Sequence, residues 1–120
     1  MNDLFISLVL GSIIQGGGLL PGLMPPTSFA YSDSYLNPDY LVTFTWDAPS
    51  SGPEPDNYYM VLVGANSGTL TFNIPFGVIS QGVQLPPDEA WTCSIKSRKA
   101  GYADSTEELL SGTTPSAPYP

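Results

Sequence analysis

Proline and glycine interrupt this sequence too often for long helices to survive: 13 prolines and 12 glycines stand among 120 residues. Inside a helix a proline removes a hydrogen bond and clashes with the turn before it, and a glycine adds a conformational-entropy cost. Short strands joined by frequent turns tolerate both. Because 42% of the residues are hydrophobic, the chain still has the material for a packed core, and its length suits one core and not two. A single all-β domain is therefore expected.

The hydrophobic pattern points the same way. Within Leu41–Trp46, Val42, Phe44 and Trp46 fall on one face and Thr43 and Thr45 on the other, the period of two that a half-buried strand requires. After the turn-rich loop 47–57 the alternation resumes, and Tyr59, Val61 and Val63 are in phase on the side assigned to the core. Ala65–Gly68 forms the next turn, and 69–74 and 77–85 read as two further strands. Trp91, Cys93 and Ile95 then alternate with Thr92, Ser94 and Lys96, and 102–110 supplies the last strand. Turn signals recurring about every 8 to 12 residues predict a sandwich or a small barrel.

Over about residues 26–113 the chain resembles a fibronectin type III domain. The resemblance is carried by Trp46 followed by Ala48-Pro49 and by Tyr59-x-Val61-x-Val63 thirteen residues after the tryptophan. Leu85-x-Pro87-x-x-x-Trp91 adds to it, as do Gly101 and Ser105 ahead of the last strand. It implies an immunoglobulin-like β-sandwich of about seven strands. Trp46 and Tyr59 would then fill the space between two sheets about 10 Å apart. One position departs from the pattern: Trp91 stands where the family usually has a tyrosine whose hydroxyl ties the E–F corner to backbone. An indole has one N–H donor and no acceptor, so that corner must be tied differently, and another immunoglobulin-like sandwich stays open at this stage.

Three regions follow from composition: residues 1–25, an apolar Gly/Pro-rich N-terminal arm; 26–113, the sandwich; and 114–120, a Pro-rich tail of linker composition. The arm carries one charge, Asp3. An acidic start without a small-residue cleavage pattern argues against a secretory signal. Gln15, the glycines 16–18 and Pro21 break the run of roughly 20 apolar residues that a spanning helix needs, so a membrane partner is not expected. An uncharged apolar segment has to be covered by protein, either its own domain or a neighbour. The residues expected to make that contact are Leu4, Phe5, Leu8, Val9, Leu10, Ile13, Ile14, Leu19, Leu20 and Leu23.

Charge and side-chain chemistry exclude most other functions. Eleven acidic against three basic residues leave a net charge of −8, which removes the attraction to nucleic acid. There is no histidine, and Cys93 is the only cysteine, so disulfide frameworks, Cys/His metal sites and imidazole-based triads are absent. With no phosphate loop or cofactor motif, neither a cofactor nor enzymatic activity is expected. Cys93, in phase with Trp91 and Ile95, is expected to be an inert core thiol. Asp88-Glu89 and Glu107-Glu108 read as solvated turn and edge charges. Lys96, Arg98 and Lys99 fall close together; they form either a solvated face or a docking point for an acidic neighbour, which includes another copy of the subunit.

The family resemblance implies a module of the kind found on bacterial surfaces and on the capsids and tails of tailed phages. The expected function is a non-enzymatic structural or interaction protein. The first reading is a phage virion subunit, a capsid decoration or tail accessory protein present in many copies. Its arm would hold it to other structural subunits, with the sandwich exposed. The alternative is a secreted or membrane-tethered binding module of a bacterial surface, with the N-terminal residues as a targeting segment. A carbohydrate-binding reading requires an exposed platform built from Tyr31, Tyr35, Tyr40, Tyr58 and Tyr102.

Overall fold

The computed structural model describes residues 19–117, which form an all-β sandwich. Its strands are β1 (Thr27–Leu36), β2 (Asp39–Asp47), β3 (Asn57–Gly64), β4 (Gly68–Pro75), β5 (Ser80–Leu85), β6 (Ala90–Arg98) and β7 (Glu108–Thr113). They make two antiparallel sheets, β1-β2-β5 and β4-β3-β6-β7. Among the described residues no helix is long and apolar enough to cross a membrane.

The core lies between the sheets and is built from alternate residues of each central strand. Val42, Phe44 and Trp46 of β2 are buried, as the alternation with threonine predicts. The Phe44 ring meets Trp91 of β6 edge-on at 5.2 Å, and Trp46 meets Tyr58 of β3 at 5.7 Å, the geometry that aromatic quadrupoles favour. On β3 the sequence expectation is reversed. Tyr58, Met60 and Leu62 are fully buried, whereas Tyr59, Val61 and Val63 face outward. Both phases of this strand are apolar, so periodicity alone cannot choose between them, and a shift of one residue exchanges the faces. The last strand also starts later than expected, at Glu108 instead of Tyr102, because 99–107 is a long excursion at the end of the sheet.

At one end of the sandwich a buried carboxylate ties the start of β6 to the β3–β4 turn. Glu89 is 0% exposed. Its carboxylate accepts from the Asn66 backbone N–H (3.0 Å), the Asn66 side-chain amide (2.8 Å) and the Ser67 N–H (2.7 Å), which closes the β3–β4 turn. The same residue's backbone pairs with Thr114: the Glu89 N–H donates to Thr114 Oγ1 (2.7 Å), and the Thr114 N–H donates to the Glu89 carbonyl (2.9 Å). Gly64 makes room for this clasp, since a Cβ there would run into Glu89 Oε2. The reading of Glu89 as a solvated turn charge is therefore corrected. Burial pushes its carboxyl upward, but the hydrogen bonds from Ser67 and Asn66 outweigh it and hold the group below the usual carboxylate range. The Trp91 indole N–H is buried and makes no hydrogen bond to protein.

The chain stays on the domain beyond β7. Thr114 is buried, the Asp88 N–H donates to the Pro115 carbonyl (3.1 Å), and the Tyr40 hydroxyl donates to the Ser116 carbonyl (2.9 Å). At the opposite end, Leu20 forms a parallel bridge with Tyr102, its N–H donating to Gly101 and its carbonyl accepting from Ala103, both at 2.9 Å. Leu23 and Pro26 are buried behind it. The stretch 19–26 is thus attached to the sandwich.

Candidate functional site

Two sets of residues were expected to meet partners, the apolar arm and the basic cluster on β6. Leu4, Phe5, Leu8, Val9, Leu10, Ile13 and Ile14 lie outside the described residues. Leu19 and Leu20 are largely exposed, at 63% and 54%. Leu23 is not: at 6% exposed it belongs to the sandwich, which corrects its assignment to a partner-facing surface.

The basic cluster is built by register. Tyr59 of β3 lies opposite Lys96 of β6, and Asn57 opposite Arg98, so both cations reach the outward tyrosine ring. The Arg98 guanidinium stacks over Tyr59 at 3.9 Å, and Lys96 Nζ lies 5.8 Å from the same ring. Both are also drawn to one carboxylate in the β6–β7 excursion: Lys96 Nζ is 3.0 Å and Arg98 Nε 3.4 Å from Asp104 Oδ2. The hydrogen bond from Lys96, with the nearby Arg98 charge, holds Asp104 below the usual carboxylate range. Lys99 turns away to Asp56 (3.6 Å), whose other oxygen accepts from the Ala100 N–H (2.8 Å). All three cations therefore have acidic partners within the domain, but Lys96 and Arg98 share the single Asp104 carboxylate, so the cluster keeps one positive charge in excess. Each exposed pair is worth only about 0–1 kcal/mol, and what the pairs do together is fix the β6–β7 excursion against β3.

Burial pushes the Cys93 thiol up to about 12, far from the thiolate that a nucleophile requires. Among the described residues no group of three or more His, Cys, Asp and Glu side chains converges on a point. The tyrosine platform does not form either, because Tyr40 and Tyr58 are core residues.

What sequence reasoning missed is the Glu89 clasp, although a signal for it exists. Counting back by two from the inward Ile95, Cys93 and Trp91 puts Glu89 in the same phase. The Asn66-Ser67-Gly68 turn supplies donors that need an acceptor, and Gly64 removes the side chain that would obstruct it.

Comparison with solved structures bears on the sheet order, in which the fourth strand joins the sheet of strands three, six and seven. A computationally redesigned β-sandwich protein superposes with a TM-score of 0.68 at 20% identity, over 81% of this chain and 95% of that one. A two-domain fibronectin type III segment of chicken tenascin gives 0.63 at 21% identity over 75% of this chain, which spans 49% of that segment. A fibronectin type III domain of human contactin 1 gives 0.60 at 13% identity, covering 88% and 92%. The fold is that of a fibronectin type III domain. No protein-family model matches the sequence, and no curated protein matches it. Within this fold the β6 cations occupy the outer face of the four-stranded sheet, and the corner between β5 and β6 is held by Thr114, whose hydroxyl donates to the Pro86 carbonyl (2.6 Å).

Proposed function

We propose that this chain is a non-enzymatic interaction protein, a structural subunit of a phage virion that decorates the capsid or serves as a tail accessory. In this reading the N-terminal segment anchors it to neighbouring subunits and leaves the fibronectin-like sandwich exposed. One observation carries the proposal: residues 19–117 contain a seven-stranded fold with its own buried core, and in this reading the apolar residues 4–14 are left for contact with a neighbour. Eight of them, from Leu4 to Ile14, are large hydrophobic side chains that gain about 1.5–3 kcal/mol each when fully buried. Their coverage by a neighbouring subunit accounts for the composition of the segment. Many copies in one assembly would follow from this use.

Mass spectrometry of purified particles tests the proposal. The expected result is the chain in stoichiometric amount with residues 1–18 intact. Its absence from particles, together with a processed N-terminus on native material, favours instead a secreted or surface-tethered binding module.

A further inference from the structure

The two sheets leave four strand edges unpaired, and three of them are guarded. On β1 the register shifts between Thr27 and Ala30, with Ser28 at φ 56°, and Asp33 lies within the strand. On β5 the Gln81 side-chain amide donates to the Gly82 carbonyl (2.9 Å) and occupies a backbone acceptor. On β7 the strand opens at Glu107-Glu108. The β4 edge has none of these devices. It pairs with β3 in unbroken register from Asn57↔Pro75 to Gly64↔Gly68 and carries no charge.

The sequence around this edge is neutral as well. No Asp, Glu, Lys or Arg occurs between Asp56 and Asp88, so β3, β4, β5 and their connections are all neutral. Leu70 and Phe72 of β4 are only half-buried at the open side of the sandwich, and Val78 and Ile79 in the β4–β5 link are exposed. In a chain of net charge −8, two copies repel except where they meet through neutral surfaces. The other long neutral stretch lies between Asp3 and Asp33 and includes the whole N-terminal segment after Asp3.

We propose that residues 4–10 of one copy add as a strand to the free edge of β4 in a second copy. The inference rests on the anchoring role proposed above and names its socket. The sequence Leu-Phe-Ile-Ser-Leu-Val-Leu is one residue shorter than β4, which has eight. Read with period two it places Leu4, Ile6, Leu8 and Leu10 on one face, to cover Leu70 and Phe72, and Phe5, Ser7 and Val9 on the other. A second copy is favoured over the segment's own domain by chain direction. Leu20 is held beside Tyr102, at the end of the sheet where β4 finishes. A segment running back from there along its own sheet without reversing would lie parallel to β4. The antiparallel pairing, which is more stable per residue, is open to a neighbour without any further reversal of the chain.

Disulfide trapping between full-length chains tests this. One chain carries Ser7→Cys; its partner, distinguished by a mass tag, carries Thr69→Cys, Thr71→Cys or Asn73→Cys, three positions on the outer face of β4. Cys93 is buried and stays silent. Under mild oxidation the expected product is a mixed disulfide dimer with at least one β4 position. It should be lost when Leu8→Asp is added to the Ser7→Cys chain, and absent for a Thr43→Cys control on the other sheet. No mixed dimer with any β4 position, equal yield with the control, or closure only within a single chain carrying both cysteines overturns the proposal. If particles contain the intact chain but no β4 position is trapped, the socket is wrong and the anchoring role stands. A trapped β4 pair from a chain that particles lack supports the socket and removes the virion reading.

Discussion

The two lateral sides of the sandwich solve the same problem in opposite ways. Along β1 and β7, the Tyr31 ring closes edge-on against Trp91 at 4.7 Å, Gly112 lets the two approach, and Asp33, Glu107 and Glu108 charge the rim. Along β4 and β5, Leu70 and Phe72 are half-covered and no charge lies nearby in sequence. Both sides end in unpaired backbone; both edges of the first discourage another strand from joining, whereas on the second only β5 is guarded, by Gln81, and β4 is left open. The net charge of −8 is therefore unevenly spread along the chain: residues 57–87, which form β3, β4 and β5, carry none of it.

The comparison can be broken or sharpened by substitution. Trp46→Ala removes a ring that touches Tyr58 and lies 6.4 Å from Phe29. It should collapse both sides together, at a cost of about 3–5 kcal/mol in chemical denaturation. An unchanged midpoint would place the core elsewhere. Gly112→Ala strikes the closed side alone, because its Cβ would lie 2.7 Å from Trp91 Cζ2 and 2.8 Å from the Tyr31 hydroxyl. About 1–3 kcal/mol of destabilisation is expected. Gly82→Ala is the matching change on β5, where the nearest atom is the mobile Leu41 Cδ1 at 3.1 Å. It should stay within about 1 kcal/mol of wild type, since relief of a strand glycine offsets the contact. If the two glycine variants cost the same, the sides do not differ in packing.

Acid titration separates the clasp from the surface pairs. Glu89 and Asp104 are both held below their ordinary values, 4.5 and 3.8, by hydrogen bonds and neighbouring cations. A depressed carboxyl contributes stability that is present above its unfolded pKa and lost as the pH falls through the folded one. Thermal melts should therefore weaken below about pH 4.5. Glu89→Gln should flatten that decline at the expense of stability at neutral pH, and Asp104→Asn should change it less, because that carboxylate is partly solvated. An identical acid limb in Glu89→Gln shows that the clasp is not the group being titrated.

The sandwich was legible where one face of a strand was polar. Val42, Phe44 and Trp46 were assigned correctly because Thr43 and Thr45 mark the other side, and Trp91, Cys93 and Ile95 because Thr92, Ser94 and Lys96 do. β3 was misread because both of its faces are apolar and the choice between them is made by neighbours distant in sequence, among them Trp46. Glu89 escaped notice because it was weighed beside Asp88 and not in phase with Trp91. The cations were legible as a cluster, but their partner Asp104 comes from a loop whose path no local pattern specifies.

The central claim is that residues 19–117 fold as a complete domain and that the preceding segment serves contact between subunits. Sedimentation velocity and thermal melting of the full chain, beside a version lacking residues 1–18, address it most directly. The shortened protein should melt cooperatively at the temperature of the full chain and sediment as a monomer at every concentration, while the full chain associates as its concentration rises. A shortened protein that fails to fold would make the segment part of the domain's own core, and a full chain that remains monomeric throughout would contradict its role in joining copies.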